Sequence, residues 1–77
     1  MPIAEMLKDV RQKALMSQGS FSKALAVSVA TINRWENGKA LPNITAMSRI
    51  REFCEKNDIS FEELEKEWLK TIRRNKT

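Results

Sequence analysis

Asn33 and Arg34 stand side by side in the stretch SVATINRWENGK, and both side chains can read the edge of a base pair. Arginine donates two parallel hydrogen bonds to guanine, and asparagine pairs in bidentate fashion with adenine. Winding this stretch as a helix at about 100° per residue tests which residues share a face. With Ile32 at zero, Trp35 falls at about 300°, so the oily direction lies near 330°. Ala30 (about 160°), Asn37 (about 140°), Asn33 (about 100°) and Arg34 (about 200°) surround the opposite side. Val29 and Ala30 are small enough for the helix N-terminus to approach base edges, where they can touch a thymine methyl. The one acid, Glu36, lies off to the side at about 40°. Taken alone, this face has two readings, a nucleobase reader and an ordinary polar surface.

The flanking residues supply elements that could hold the face outward. Helix 2 is expected over Gln18–Leu25, with Ser17 as its cap, Phe21 and Leu25 inward, and small Ser22 where another helix must come close. A turn at Ala26 follows, with Val27 plugging it. Ser28 is the expected N-cap of helix 3, which runs from Val29 to Asn37, and Gly38 suits the left-handed residue that ends a helix. Phe21 and Leu25 would hold helix 2 against Ile32 and Trp35, the layout of a helix-turn-helix over about 18–37. Helix 1 is expected over Ile3–Met16, its core face made of Ile3, Met6, Leu7, Val10 and Ala14. Pro42 blocks any helix running through it. Helix 4, capped by Asn43, is expected over Ile44–Lys56 with Met47, Ile50, Phe53 and Cys54 inward, and Asn57-Asp58 is turn chemistry. Ser60 with Glu63 reads as a capping box and Ile59 with Leu64 as its hydrophobic staple, opening helix 5. Phe61, Leu64, Trp68 and Ile72 form its stripe, and residues 73–77 read as a frayed tail. Apolar residues nowhere alternate in strand fashion, so the expected fold is all-α with five helices.

On these residues the chain resembles the Cro/repressor family of bacterial and phage regulators, also called the XRE family. The matching residues are Gln18, Val27-Ser28, Ile32, and the run Arg34-Trp35-Glu36-Asn37-Gly38-Lys39 followed by Pro42. The resemblance covers residues 3 to about 69 and implies a lambda-repressor-like domain in which helices 2 and 3 bind double-stranded DNA. By position it implies that Gln18 bonds a phosphate and braces the reading helix, and that Ser28 caps helix 3 and reaches the backbone. Val29, Ala30, Asn33 and Arg34 would face bases, and Thr31 would sit near phosphate. Lys39 and the loop to Asn43 would touch the backbone beyond. Arg11 and Glu36 match a pair that forms an internal salt bridge in the family. Ala26 departs from the family's usual turn glycine and Ser22 from its usual alanine. The segment from Ile50 to Ile59 is about three residues longer than the family pattern, so helix 4 is expected to gain a turn.

Composition sets the remaining bounds. Seventy-seven residues are enough for one domain, 1–77, with a small core. No apolar run is long enough to span a bilayer, and the N-terminal stretch lacks the basic-then-apolar layout of a secretory signal. A cytoplasmic, nucleoid-associated location is the expectation. The net charge of +4 is unevenly laid out. Residues 1–51 carry eight bases against three acids, residues 52–69 seven acids against two bases, and the last eight residues four bases and no acid. A local excess of positive charge is the expected footprint of phosphate binding. The chain has no histidine and one cysteine, Cys54, which is read as a small buried apolar group. No His-based catalytic site, zinc site or Gly-rich phosphate loop can be built, so no enzyme, cofactor or metal is expected. The expected function is sequence-specific binding of duplex DNA by a homodimer that controls transcription. Its dimer surface is placed on helix 5, possibly with helix 4, with Leu69 and Ile72 as exposed apolar contacts. The rival class is an antitoxin-like or adaptor protein whose helix 5 binds a protein partner.

Overall fold

The computed structural model describes residues 2–74. Five helices follow in order: α1 (Ile3–Lys13), α2 (Gln18–Leu25), α3 (Val29–Glu36), α4 (Ile44–Lys56) and α5 (Glu62–Arg74). The described residues contain no strand, and the fold is the all-α, five-helix, lambda-repressor-like arrangement.

Three helices start where a short polar side chain can catch a free backbone N–H. Ser17 Oγ accepts from the Ser20 amide at 3.1 Å, Ser28 Oγ from the Thr31 amide at 3.1 Å, and Asn43 Oδ1 from the Ala46 amide at 2.8 Å. Each such cap contributes about 1 kcal/mol. That matters for α2 and α3, because helices of eight residues are marginal in water without help.

The first four helices end in one backbone device. A left-handed residue follows the last turn, its N–H bonds the carbonyl three residues back, and the next N–H bonds the carbonyl five residues back. In α1 these are Leu15 N–H to Gln12 O (3.0 Å) and Met16 N–H to Arg11 O (3.1 Å). The same pair of bonds recurs at Ala26 and Val27, at Gly38 and Lys39, and at Asp58 and Ile59. Of the four left-handed residues, Leu15 (φ 58°), Ala26 (φ 57°), Gly38 (φ 72°) and Asp58 (φ 55°), only Gly38 is a glycine. Met16, Val27 and Ile59, each one position later, pack against the core and hold the turn down. This is why α1 stops at Lys13, short of the expected Met16. Leu15 is consequently thrown outward and is 92% exposed.

The core gathers Ile3, Leu7 and Val10 from α1, Phe21 and Leu25 from α2, and Ile32 and Trp35 from α3. Ala46, Met47, Ile50, Phe53 and Cys54 join from α4, and Leu64 and Trp68 from α5. Phe21 and Phe53 meet edge to face at 5.2 Å, joining α2 to α4. Ser22 is buried where α2 is packed, its hydroxyl donating to Gly19 O at 2.7 Å. The Trp68 indole N–H donates to Pro42 O at 2.8 Å, which ties α5 to the loop after α3. Burial pushes the Cys54 thiol up to about 11, with the nearby Glu55 charge adding to the shift, so it stays protonated and inert at neutral pH.

Several expectations about α5 need correction. Among the described residues Ser60 makes no capping bond, and the helix begins at Glu62, with the Glu65 amide bonding Phe61 O at 2.9 Å. Left-handed Asp58 and the Ile59 amide bond to Cys54 O fix the path of the chain there, and Ser60 is left one residue early. Arg73 and Arg74 are helical, not frayed; the rest of the expected tail, 75–77, lies outside the described residues. Leu69 and Ile72 are half-buried against the core rather than exposed. The large apolar side chains most open to solvent after Leu15 are Ile44, 75% exposed, and Val29.

The left-handed residues give a paired test. Ala26→Gly removes a side-chain strain of about 1–2 kcal/mol and gives back part of it as unfolded-state entropy, so stability should rise by about 0.5–1 kcal/mol. Gly38→Ala should lower it by about 1 kcal/mol, and purely through the backbone, because a Cβ at Gly38 meets nothing within 4 Å. Thermal melts should move in opposite directions for the two variants.

Candidate nucleic-acid interface

The face of α3 opposite Ile32 and Trp35 is open. Val29, Ala30, Asn33, Arg34 and Asn37 are all exposed, and Val29 remains 50% accessible although apolar. The described residues leave this side uncovered. Among the described residues neither Arg34 nor Lys39 is engaged in an ion pair.

Glu36 is the one carboxylate of α3, and it is turned away. Its side chain is only 4% exposed. Arg11 Nε donates to Glu36 Oε2 at 2.7 Å, and Arg11 Nη2 donates to Oε1 at 2.9 Å, a bidentate pair between α1 and α3. The remaining arm, Nη1, donates to Met16 O at 3.0 Å, just beyond left-handed Leu15. Hydrogen bonding to Glu36 holds the Arg11 guanidinium above its ordinary pKa; burial opposes this and the opposite charge adds to it. The negative charge that phosphates would otherwise meet is thereby neutralised inside the protein.

Gln18, the first residue of α2, reaches the same carboxylate. Its Nε2 donates to Glu36 Oε1 at 3.2 Å, while its Oε1 accepts from Asn33 Nδ2 at 3.5 Å. Asn37 Nδ2 then donates to Asn33 Oδ1 at 3.0 Å. Gln18 thus braces α3 directly, and one N–H of its amide stays open. At the other end of α3, the Ser28 and Thr31 hydroxyls are 2.9 Å apart beside the N-terminal amides, and Thr31 is half-buried. Asn43 is exposed beyond the helix; its Oδ1 caps α4, which leaves its amide N–H groups to face outward. Lys39 is exposed on the loop between them. Thr31, Asn43, Thr45 and Arg49 line one hollow between α3 and the start of α4.

One contributor lies outside the sequence reading. Arg49, on α4, donates from Nη1 to Leu25 O (3.3 Å) and Ala26 O (3.2 Å), clasping the carbonyl end of α2 at the turn. No local pattern marks it, because the contact joins residues 23 and 24 positions apart. Asn37 was placed on the outward side by its angle, but its bond to Asn33 depends on side-chain geometry that an angle does not give.

The model of a family described as helix-turn-helix matches residues 7–64. No curated protein and no solved structure matches the chain. The matched span includes all of α2, α3 and α4, together with both members of the Arg11–Glu36 pair.

Removing one partner of a largely buried ion pair strands the other, a loss of about 3–5 kcal/mol. Arg11→Ala and Glu36→Ala should each cost about that much in denaturant unfolding. The double variant Arg11→Met/Glu36→Leu should cost far less than the two losses added together. Additive losses would show that the two side chains act independently.

Proposed function

The chain belongs to the Cro/C1-type (XRE) family of helix-turn-helix DNA-binding proteins, and we propose that it is a sequence-specific regulator of transcription whose α3 lies in the major groove of duplex DNA. The observation that carries this reading is the open amide and guanidinium face of α3, from which the only carboxylate has been withdrawn into a bidentate pair. A helix presenting small residues first and Asn and Arg further along fits base edges in the wide groove. α2 then crosses the backbone and braces the reader.

The other contacts divide by chemistry. Val29 and Ala30 approach the bases first, Asn33 pairs with adenine, and Arg34 pairs with guanine. Gln18 offers its second N–H to phosphate, and Ser28 and Thr31 reach the backbone at the N-terminus of α3, where helix amides favour an anion. Lys39 and Asn43 touch the backbone beyond the other end. Arg11 and Glu36 keep the structural role. One short helix reads too few base pairs for useful specificity, so the working form is a homodimer on a two-fold site. Its half-sites then lie about 34–36 Å apart, one turn of the duplex. The protein acts on the nucleoid in the cytoplasm, with residues 1–77 working as one helix-turn-helix domain.

Selection from a random duplex library tests this. The protein should enrich a two-fold symmetric site, with affinity falling steeply as salt rises. Arg34→Ala should cost about 1–3 kcal/mol on the selected site and relax the preference at one base pair per half-site. Lys39→Ala should weaken all sequences about equally and reduce the salt slope by about 1. Equal loss on every sequence for Arg34→Ala would reduce that residue to a phosphate contact.

A further inference from the structure

Three amide side chains and the withdrawn Glu36 carboxylate form one directed chain of hydrogen bonds: Asn37 to Asn33, Asn33 to Gln18, and Gln18 to Glu36. Its direction follows from chemistry. An ionised carboxylate has only acceptors, so the part of Gln18 that meets Glu36 must be its NH2 group. The Gln18 carbonyl then faces Asn33, which must answer with its own NH2. The Asn33 carbonyl is left facing Asn37, which again answers with NH2. Arg11, which neutralises and fixes Glu36, anchors the whole series.

We propose that Glu36 and Gln18 are positioning residues for base reading, which lock the amide of Asn33 in one orientation and so set its preference for adenine. The inference rests on the DNA-binding reading above. An amide free to rotate presents its donor and acceptor in either order and pays the cost of ordering when it binds. In this chain the order is set before DNA arrives. The 3.5 Å link from Asn33 to Gln18 is the loosest of the series, and the NH2 group it uses has a second hydrogen to spare. That hydrogen can meet adenine N7, while the second lone pair of Asn33 Oδ1 accepts from adenine N6. Guanine shows two acceptors along the same edge and meets the fixed Asn33 carbonyl with repulsion. Asn37 completes the lock by holding the Asn33 carbonyl from the C-terminal side.

Gln18→Met tests this, because methionine keeps the length of the side chain and loses both amide functions. Gln18 is half-exposed at the first position of α2, so the melting temperature should shift by no more than a few degrees. In library selection the adenine preference at one base pair per half-site should fall about tenfold, with preferences elsewhere retained. A loss of affinity uniform across sequences, with the adenine preference intact, would overturn the proposal and leave Gln18 as a phosphate contact. In the DNA-free protein, the side-chain NH2 resonances of Asn33 and Asn37 should move in Gln18→Met, while those of Asn43 and Asn57 stay. Unmoved Asn33 resonances would also overturn it. Asn37→Ala, a change at an exposed position past the end of α3, should give a smaller loss at the same base pair. A wild-type protein that selects no sequence, but whose Asn33 resonances respond to Gln18→Met, would overturn the DNA reading and its adenine preference while leaving the hydrogen-bond chain in place.

Discussion

A carboxylate sits on a helix whose outward side is free of acids, and the pairing of Glu36 with Arg11 is what makes that tolerable. The guanidinium fills both oxygens of Glu36 and also holds the Met16 carbonyl, so one side chain joins the end of α1, the last residue of α3 and, through the shared oxygen, the start of α2. Its value does not lie in raw stability, because taking two charges out of water offsets most of their attraction. An apolar pair would fill the space as well. What an apolar pair cannot do is accept a hydrogen bond from Gln18, and that bond gives the surface amides their direction.

The helix ends show a second constraint. Two eight-residue helices must turn sharply and still leave α3 uncovered, and the chain manages this with the same two-bond ending at four successive places. At three of them the left-handed residue carries a side chain. The strain is offset locally. Met16, Val27 and Ile59 each bury an apolar side chain just beyond the turn, and at Ala26 the carbonyl end of α2 receives Arg49 as well. The turn of the helix-turn-helix is therefore held from the core side by Val27 and from the solvent side by an arginine on α4.

Much of this was legible in the sequence, for reasons that differ by element. The starts of α2, α3 and α4 were clear because Ser17, Ser28 and Asn43 act on amides two or three residues away, a relation that spacing expresses. The buried side of α3 was clear because Ile32 and Trp35 have one common direction at helical spacing. The end of α1 was hidden, because its closing bonds belong to the backbone and Leu15 is not a residue type that announces a left-handed turn. The start of α5 misled for the opposite reason. Ser60 and Glu63 have the right types and spacing for a cap, but the path fixed by Asp58 and Ile59 leaves the serine outside the helix. Leu69 and Ile72 lie at the edge of the α5 stripe, where periodicity alone does not distinguish a half-buried residue from an exposed one. The amide chain could not be read at all, since Gln18 and Asn33 are fifteen residues apart and their orientation depends on a third residue.

These arrangements divide the reading surface into two kinds of group. Asn33 and Asn37 are hydrogen-bonded to neighbours without any ligand, and on the DNA-binding reading proposed above they would lose little freedom on binding and discriminate by fit. Arg34 and Lys39 have no ion-pair partner among the described residues and keep the mobility of long side chains. On the same reading they would adapt to a duplex whose phosphates and groove edges vary in position, and would contribute attraction that salt can screen. The acids follow the same logic. Three glutamates in the first turn of α5, Glu62, Glu63 and Glu65, help that helix begin, and α5 packs against α1 rather than beside the open side of α3. Their charge therefore works on the protein's own backbone dipole, at the start of a helix, where it stabilises by proximity. The one acid that α3 does contain is used as an internal acceptor. Negative charge is thus kept where it orders the protein, and the side left for nucleic acid carries only neutral amides, small apolar groups and cations.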